Sequence, residues 1–144
     1  MRLILALIAF TNPAWADCVG SERTFMSCSF DNGKVVEVCM TDNHARYSFG
    51  RLGQAPELVL SLRFGLGAEA VPWPGIGRTI WEALRLINND VIYEVYGGFD
   101  KFKVDEDNPK EHIHSRFGGI YIKDFLGNEL AHLQCIPSTV VYTY

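Results

Sequence analysis

The sequence predicts an all-β domain, a small antiparallel barrel or sandwich of about eight strands crosslinked by two disulfides. Short segments rich in β-branched and aromatic residues alternate with turn residues along the chain after residue 16. The 144 residues are 48% hydrophobic and 21% charged, which is typical of one folded domain. All four cysteines lie after residue 16, and an even number favours two disulfides.

The first sixteen residues are typical of a secretory signal peptide. Arg2 precedes the apolar run Leu3 to Phe10, and a small-x-small triplet ends at Ala16. Cleavage before Asp17 would leave 144 − 16 = 128 residues, the single all-β domain 17–144. We therefore expect a periplasmic or secreted protein, in a compartment where thiols are oxidised to disulfides.

The charge balance excludes some classes of partner. Lys and Arg number 13 and Asp and Glu 17, so without Arg2 the balance is 12 against 17, a formal charge of −5. A nucleic-acid binder needs a basic stripe, and none is visible. An acidic surface favours a basic protein or envelope component as partner. No stretch after the leader reaches about 18 uninterrupted apolar residues, so no membrane span is expected.

The first predicted hairpin joins Thr24–Phe30 to Lys34–Met40 through a three-residue loop in which Gly33 takes a left-handed conformation. The loop length fixes the register of the two strands. Cys28 then lies on the apolar face of the hairpin, and Cys39 points to the opposite face. The apolar face comprises Met26, Cys28, Phe30, Val36 and Val38.

The remaining strands are predicted in chain order at Ala45–Phe49, Glu57–Phe64, Arg78–Ile87, Val91–Tyr96, Arg116–Asp124, Glu129–Cys135 and, as an edge strand, Thr139–Tyr144. Gly65–Gly77 is rich in Gly and Pro and is predicted to be a rigid, partly exposed connection. Arg78–Ile87 also fits a short amphipathic helix, but the turn and the β-prone segment that follow it favour a hairpin. Gly97 and Gly98 allow a bulge or bend after the strand that ends at Tyr96.

The strand faces predict the disulfide pairing, for which three connectivities are possible. Cys135 shares one side of the last hairpin with Leu133 and therefore points inward, like Cys28. We predict that Cys28 pairs with Cys135 and that Cys39 pairs with Cys18. The cysteine spacings contain no close pair such as C-x-x-C, which argues against a zinc site.

Histidine pairs and acidic loops are the possible metal ligands. His112 and His114 lie at i and i+2 on one side of an extended segment and could begin a metal site with His44 or His132. Nothing in the sequence brings these residues together, so exposed histidines are the simpler interpretation. The acidic loop 105–108 lacks the spaced donors and turn glycine of a calcium loop. No metal and no other cofactor is expected.

Aromatic residues in loops suggest a binding surface, because aromatic anchors are enriched at interface hot spots. Trp73 lies between two prolines, and Trp81 and Phe99 lie near other turns, although a place at the end of the core is the simpler interpretation of Trp81. No nucleophile elbow, His-Glu-x-x-His or Walker loop occurs, so no catalytic residues are named. The candidate binding residues are Trp73, Arg78, Phe99, His112 and His114.

Three motifs resemble a family of small exported bacterial proteins of uncharacterised activity: Tyr-Ser-Phe-Gly at 47–50, Pro-Glu-Leu at 56–58 and Pro-Trp-Pro-Gly-Ile-Gly-Arg at 72–78, with a closing Cys135. The resemblance covers most of the chain after residue 16 and implies export but no particular activity. In size, export, acidity and a first-strand to last-strand cysteine pair, the chain is also similar to periplasmic lysozyme inhibitors, which are small β-barrels. It lacks the Ser-Gly-x-x-Tyr segment that those inhibitors insert into the lysozyme cleft, so none of their functional residues is carried over.

The expected function is that of an exported, non-catalytic binding protein acting on a protein or cell-envelope partner, and inhibition of a cell-wall hydrolase is its most concrete form. Two alternatives stay open. One is an enzyme of an unrecognised class, with Arg78, His112 and His114 as its candidate residues. The other is a small outer-membrane barrel, suggested by the alternating Val-x-Tyr-x-Tyr end of the sequence. Such a barrel needs strands of about nine or more residues, and most of the predicted strands are shorter.

Overall fold

A computed structural model describes residues 17–108, 112 and 115–144. The predicted signal peptide, 1–16, and His114 lie outside the described residues. The described strands are β1 (Arg23–Ser29), β2 (Lys34–Met40), β3 (His44–Arg51), β4 (Leu58–Phe64), β5 (Gly67–Val71), β6 (Thr79–Asn88), β7 (Val91–Asp100), β8 (Phe117–Asp124), β9 (Glu129–Gln134) and β10 (Val141–Tyr142). A 3-10 turn, Pro137–Thr139, precedes β10. Across the described part of the chain, no helix has the length and apolar character that crossing a membrane requires.

The ten described strands form one sheet in the order β10-β1-β2-β3-β4-β5-β6-β7-β8-β9, which curls into a half-barrel. The all-β class and the two disulfides are confirmed. The prediction of about eight strands in a barrel or sandwich is wrong in number and in closure. Regularly spaced short strands identify the class, but whether a sheet closes depends on tilt and register between distant strands.

The first hairpin has the predicted register. Cys28 lies opposite Val36 and Met26 opposite Val38, while Gly33 adopts a φ of 78° in the connecting turn. All residues of the predicted apolar face are buried. Arg78–Ile87 is also a strand, as predicted, and forms β6 of a long antiparallel ribbon with β7.

The segment Gly65–Gly77, predicted to be an irregular connection, contains strand β5. β4 and β5 are parallel and pair only through Arg63 with Gly67 and Phe64 with Ala68. The chain moves sideways by one strand position within a tight turn, and Gly67 takes a φ of +111° there, which favours glycine. The glycine-rich composition predicted a loop. The strand forms because β5 pairs with β6, a tertiary contact that composition does not reveal.

β7 continues through the two glycines that follow Tyr96 instead of ending there. Gly97 lies opposite Gly118 of β8. A Cβ atom on Gly97 would lie 2.6 Å from the Tyr142 ring, and one on Gly118 would lie 3.3 Å from the sulfur of Cys135. The missing side chains therefore make room for β10 and for a disulfide on the inner face of the sheet.

The core lies inside the curl of the sheet. Its largest fully buried side chains come from both halves of the chain: Met26, Val36, Val38, Tyr47, Leu84, Leu86, Val95 and Ile120. The last strand, β10, pairs with β1 through Met26 and Tyr142, so the C-terminal segment is an edge strand, as predicted, although a shorter one. Phe25 packs edge-on against Tyr142, with 6.0 Å between ring centroids.

The disulfides join Cys18 to Cys39 and Cys28 to Cys135, the pairs that the strand faces predicted. The Cys28–Cys135 bridge spans the place where the end of β9 meets β1. Beside it, the amide of Ile136 donates to the carbonyl of Ser29 at 2.8 Å. One covalent bond and one backbone hydrogen bond thus fix the end of β9 to β1.

Candidate functional site

Two loops meet at one end of the β6–β7 ribbon. Because Thr79 pairs with Asp100, the residues just before β6 lie beside those just after β7. The side chains that these loops place together form what we call the loop cluster: Trp73, Ile76, Arg78, Lys101 and Phe102.

Polar contacts hold the loop cluster in place. Arg78 Nε donates to Asp100 Oδ2 at 2.7 Å, and the Lys101 amide donates to the Arg78 carbonyl at 3.3 Å. Trp73 Nε1 donates to the carbonyl of Ile76 at 3.1 Å, which fixes the indole against its own loop. The two loops are therefore cross-braced, and ordering them on binding costs less entropy than ordering free loops.

Aromatic rings and cations alternate across the loop cluster. Lys101 Nζ lies 5.3 Å from the centroid of the Trp73 ring and 5.5 Å from that of Phe102. The guanidinium of Arg78 lies 5.8 Å from the Phe102 centroid. These distances are within cation–π range. Ile76 and Phe102 are nevertheless 80% and 69% exposed, so the cluster presents apolar surface to solvent.

A carboxylate, Asp100, lies beside the two cations of the loop cluster. Asp100 accepts from the backbone amide of Phe102 at 2.9 Å and from Arg78, and these hydrogen bonds lower the pKa of its carboxyl. Glu106 and Asp107, just beyond, are exposed. Arg78 is therefore paired with a carboxylate, whereas the Lys101 ammonium lies over the rings of Trp73 and Phe102.

Phe99 and His112 lie on the other side of β7 from Asp100. Their rings stack with centroids 4.6 Å apart, and His112 Nδ1 donates to the carbonyl of Lys103 at 2.6 Å. Phe99 is part of a strand and packs against the core and Tyr142, whereas the sequence placed it near a turn. The predicted binding residues thus divide into two neighbouring groups, Trp73 with Arg78 and Phe99 with His112.

The histidines considered as metal ligands have separate partners. His44 is exposed and contacts the side chain of Asn43, and His132 hydrogen-bonds Tyr96 at 2.8 Å while stacking on Tyr121. Within the residues that the structure describes, the close group of potential metal ligands is Cys18, Glu37 and Cys39. Its two sulfurs are joined in a disulfide.

The outer face of β7, β8 and β9 carries a network that the sequence did not reveal. Tyr96 stacks on Tyr121 with centroids 5.2 Å apart, and burial raises the pKa of Tyr96 to about 12. Burial acts to raise the pKa of Glu94, but hydrogen bonds from Arg85 and Lys123 outweigh it and keep that pKa below its usual value. Only the strand register brings these residues side by side.

Trp81 lies on this outer face, opposite Gly98, rather than at the end of the core. The simpler interpretation of Trp81 is therefore wrong. The register explains it, since the inward positions of β6 belong to Leu84 and Leu86, and odd-numbered residues of that strand face outward.

One sheet-edge cavity lies between the β1–β2 turn and β9. It measures about 480 Å³ and is lined by Phe30, Asp31, Asn32, His132, Leu133 and Gln134. A second cavity of about 310 Å³ lies at the β6–β7 and β8–β9 turns and includes Phe125 and Leu126. Arg78 and His112 line neither cavity.

Lys101, Phe102 and Ile76 are the members of the loop cluster that sequence reasoning missed. A signal for the first two was present, because the predicted hairpin would place the end of one strand beside the start of the other. The prediction ended β7 at Tyr96, and with this shortened strand the neighbours of Trp73 could not be identified.

Comparison of the chain with protein-family models, with curated proteins and with solved structures found no match.

Proposed function

We propose that this chain is an exported, non-catalytic binding protein that acts on a partner protein through the loop cluster. The observation that carries the proposal is the exposure of Ile76 and Phe102 beside the half-buried Trp73 on two cross-braced loops. Aromatic side chains accompanied by arginine are the residues that dominate binding energy at protein interfaces.

Charge and compartment give the proposal its most concrete form. The formal charge of 12 − 17 = −5 after the predicted leader favours a basic partner, and charge complementarity raises association rates. Two disulfides fit an oxidising compartment such as the periplasm. Inhibition of a basic cell-wall hydrolase is consistent with the expected charge of the partner, with the compartment and with a sequence that contains no recognised catalytic motif.

A lysis assay tests the proposal, with lysozyme as the hydrolase. We expect the protein to lower the rate of cell-wall lysis in proportion to its concentration. Trp73→Ala combined with Phe102→Ala should weaken inhibition by at least about 30-fold, because hot-spot truncation costs about 2 kcal/mol or more.

The matched control is Phe125→Ala combined with Leu126→Ala. These side chains are 69% and 73% exposed and lie at the opposite end of the sheet, so their loss should leave inhibition unchanged. Unaltered lysis by the wild-type protein, or equal weakening by both double variants, would overturn the proposal.

A further inference from the structure

Among the described strands β9 is the last in the sheet, so one of its edges pairs with no described strand. β9 pairs with β8, and the amide of Cys135 donates to the Gly118 carbonyl at 3.0 Å. In an antiparallel pair, bonding to the partner alternates along the strand. The amide of Leu133 therefore points toward β8, and the backbone N–H and C=O groups of His132 and Gln134 point away from it.

These outward groups border the 480 Å³ cavity described above. Its other wall is the β1–β2 turn, with Phe30 and Asp31 among the lining residues. The two walls converge where Ile136 donates to Ser29, next to the Cys28–Cys135 bridge. The cavity is thus a wedge, closed at that contact and open along β9, and we call it the β9 wedge.

We propose that the β9 wedge accepts an extended, basic segment of a partner polypeptide, which adds to β9 as a further strand. Alternating N–H and C=O groups on a sheet edge are matched by another extended backbone, which is how strand addition gains affinity. Leu133 and Phe30 supply apolar wall for alternate side chains of the added segment.

Charge selects a basic segment. Asp31, which is exposed, lines the β9 wedge, and Glu129 is exposed at the start of β9. The formal charge of the chain after its predicted leader is 12 − 17 = −5. Lysine or arginine side chains in the added strand would meet these carboxylates, whereas an acidic segment would be repelled.

The proposal is independent of the loop cluster, because the β9 wedge and the loop cluster share no residue. A test needs a defined probe, and we choose a short capped peptide of alternating valine and lysine. Binding is followed by amide chemical shifts of the whole protein. Shift changes are expected at 30–32 and 131–134, and a version with glutamate for lysine should bind more weakly.

Proline at one position separates backbone pairing from side-chain contact. Gln134→Pro removes an N–H that points away from β8, so the β8–β9 ladder stays intact, as edge strands tolerate proline. We expect it to weaken peptide binding about tenfold, which is what losing one backbone hydrogen bond costs. Gln134→Ala, the matched control, keeps the N–H and should bind within about twofold of wild type, since exposed side chains contribute little.

A second arm keeps the test decisive if Gln134→Pro does not fold. The same peptide N-methylated on every residue cannot donate to β9 from either of its edges and should not bind the wild-type protein. Equal binding of the methylated and unmethylated peptides, or no binding of either, would overturn the proposal. So would a wild-type dimer in sedimentation that Gln134→Pro abolishes, because it would assign the edge to a second copy of this chain.

Discussion

At the scale of single residues, an ion pair joins residues 17–22, which precede β1 and which we call the N-terminal arm, to β3. Arg46 donates to both carboxylate oxygens of Glu22, at 3.1 and 2.8 Å. These bonds, with a further one from the Val19 amide, lower the pKa of Glu22 from 4.5 to about 2. Both side chains are less than one quarter exposed, so solvent screens the pair only in part.

This geometry predicts a pH-dependent loss in Glu22→Gln. The carboxyl has a lower pKa folded than unfolded, so its stabilisation is present above pH 4.5 and disappears as the pH falls toward 2. We expect the variant to lose about 1 kcal/mol of unfolding free energy at pH 7, the typical value for a charge-assisted bidentate pair. The difference should vanish near pH 2, as measured by urea unfolding.

Glu57→Gln is the control for that measurement. Glu57 also pairs with a cation, Lys34, at 3.0 Å, but its side chain is 51% exposed. Its removal should change stability by less than about 0.5 kcal/mol, because exposed pairs contribute little. A pH-independent difference for Glu22→Gln would show that packing of the arm, and not the ionised carboxyl, provides the stabilisation.

At the scale of elements, β7 and β10 can pack closely because Gly97 of β7 has no side chain. Gly97→Ala would place a methyl group 2.6 Å from the ring of Tyr142, whose hydroxyl donates to Glu82 at 2.9 Å. We expect this overpacking to cost about 1–3 kcal/mol. Thermal unfolding measures this loss of stability. In a chain that already carries Tyr142→Ala, adding Gly97→Ala should cost less stability than it does in the wild-type protein. Full additivity of the two changes would contradict the contact.

Elements were predicted where the signal is local. The first hairpin follows from a three-residue loop and alternating apolar residues, and its register in turn gave the inward Cys28 and outward Cys39. β5 and the extension of β7 were missed because glycine reads as a strand breaker in sequence. In the structure, glycine permits a sideways step at Gly67 and a close approach at Gly97. Because the predicted strand ended before Gly97, Lys101 and Phe102 of the loop cluster were missed as well.

At the scale of the whole molecule, the two disulfides differ in what they hold. Cys28–Cys135 joins positions 107 apart across the curl, while Cys18–Cys39 joins positions 21 apart and secures the arm. In the chain-entropy model the first contributes about 4–5 kcal/mol and the second about 3. The unequal loop lengths predict unequal losses on removal.

We expect Cys28→Ala with Cys135→Ala to lower the melting temperature by more than about ten degrees, using roughly 2–4 °C per kcal/mol. Cys18→Ala with Cys39→Ala should lower it by less, because that bridge closes the shorter loop. Each double variant is unfolded thermally with the other bridge intact. An equal or reversed order would mean that the arm stabilises the sheet more than the long-range bridge does.

The long-range bridge also makes the oxidised chain a covalent ring closed at Cys28 and Cys135, positions 107 apart. A channel or a processive protease that threads one extended polypeptide end-first would meet this ring as two polypeptides side by side. Passage through a narrow pore therefore has to be complete while the thiols are still reduced. Once the bridge forms, the crosslinked chain no longer fits through such a pore, and the molecule stays on the side of the barrier where oxidation occurred.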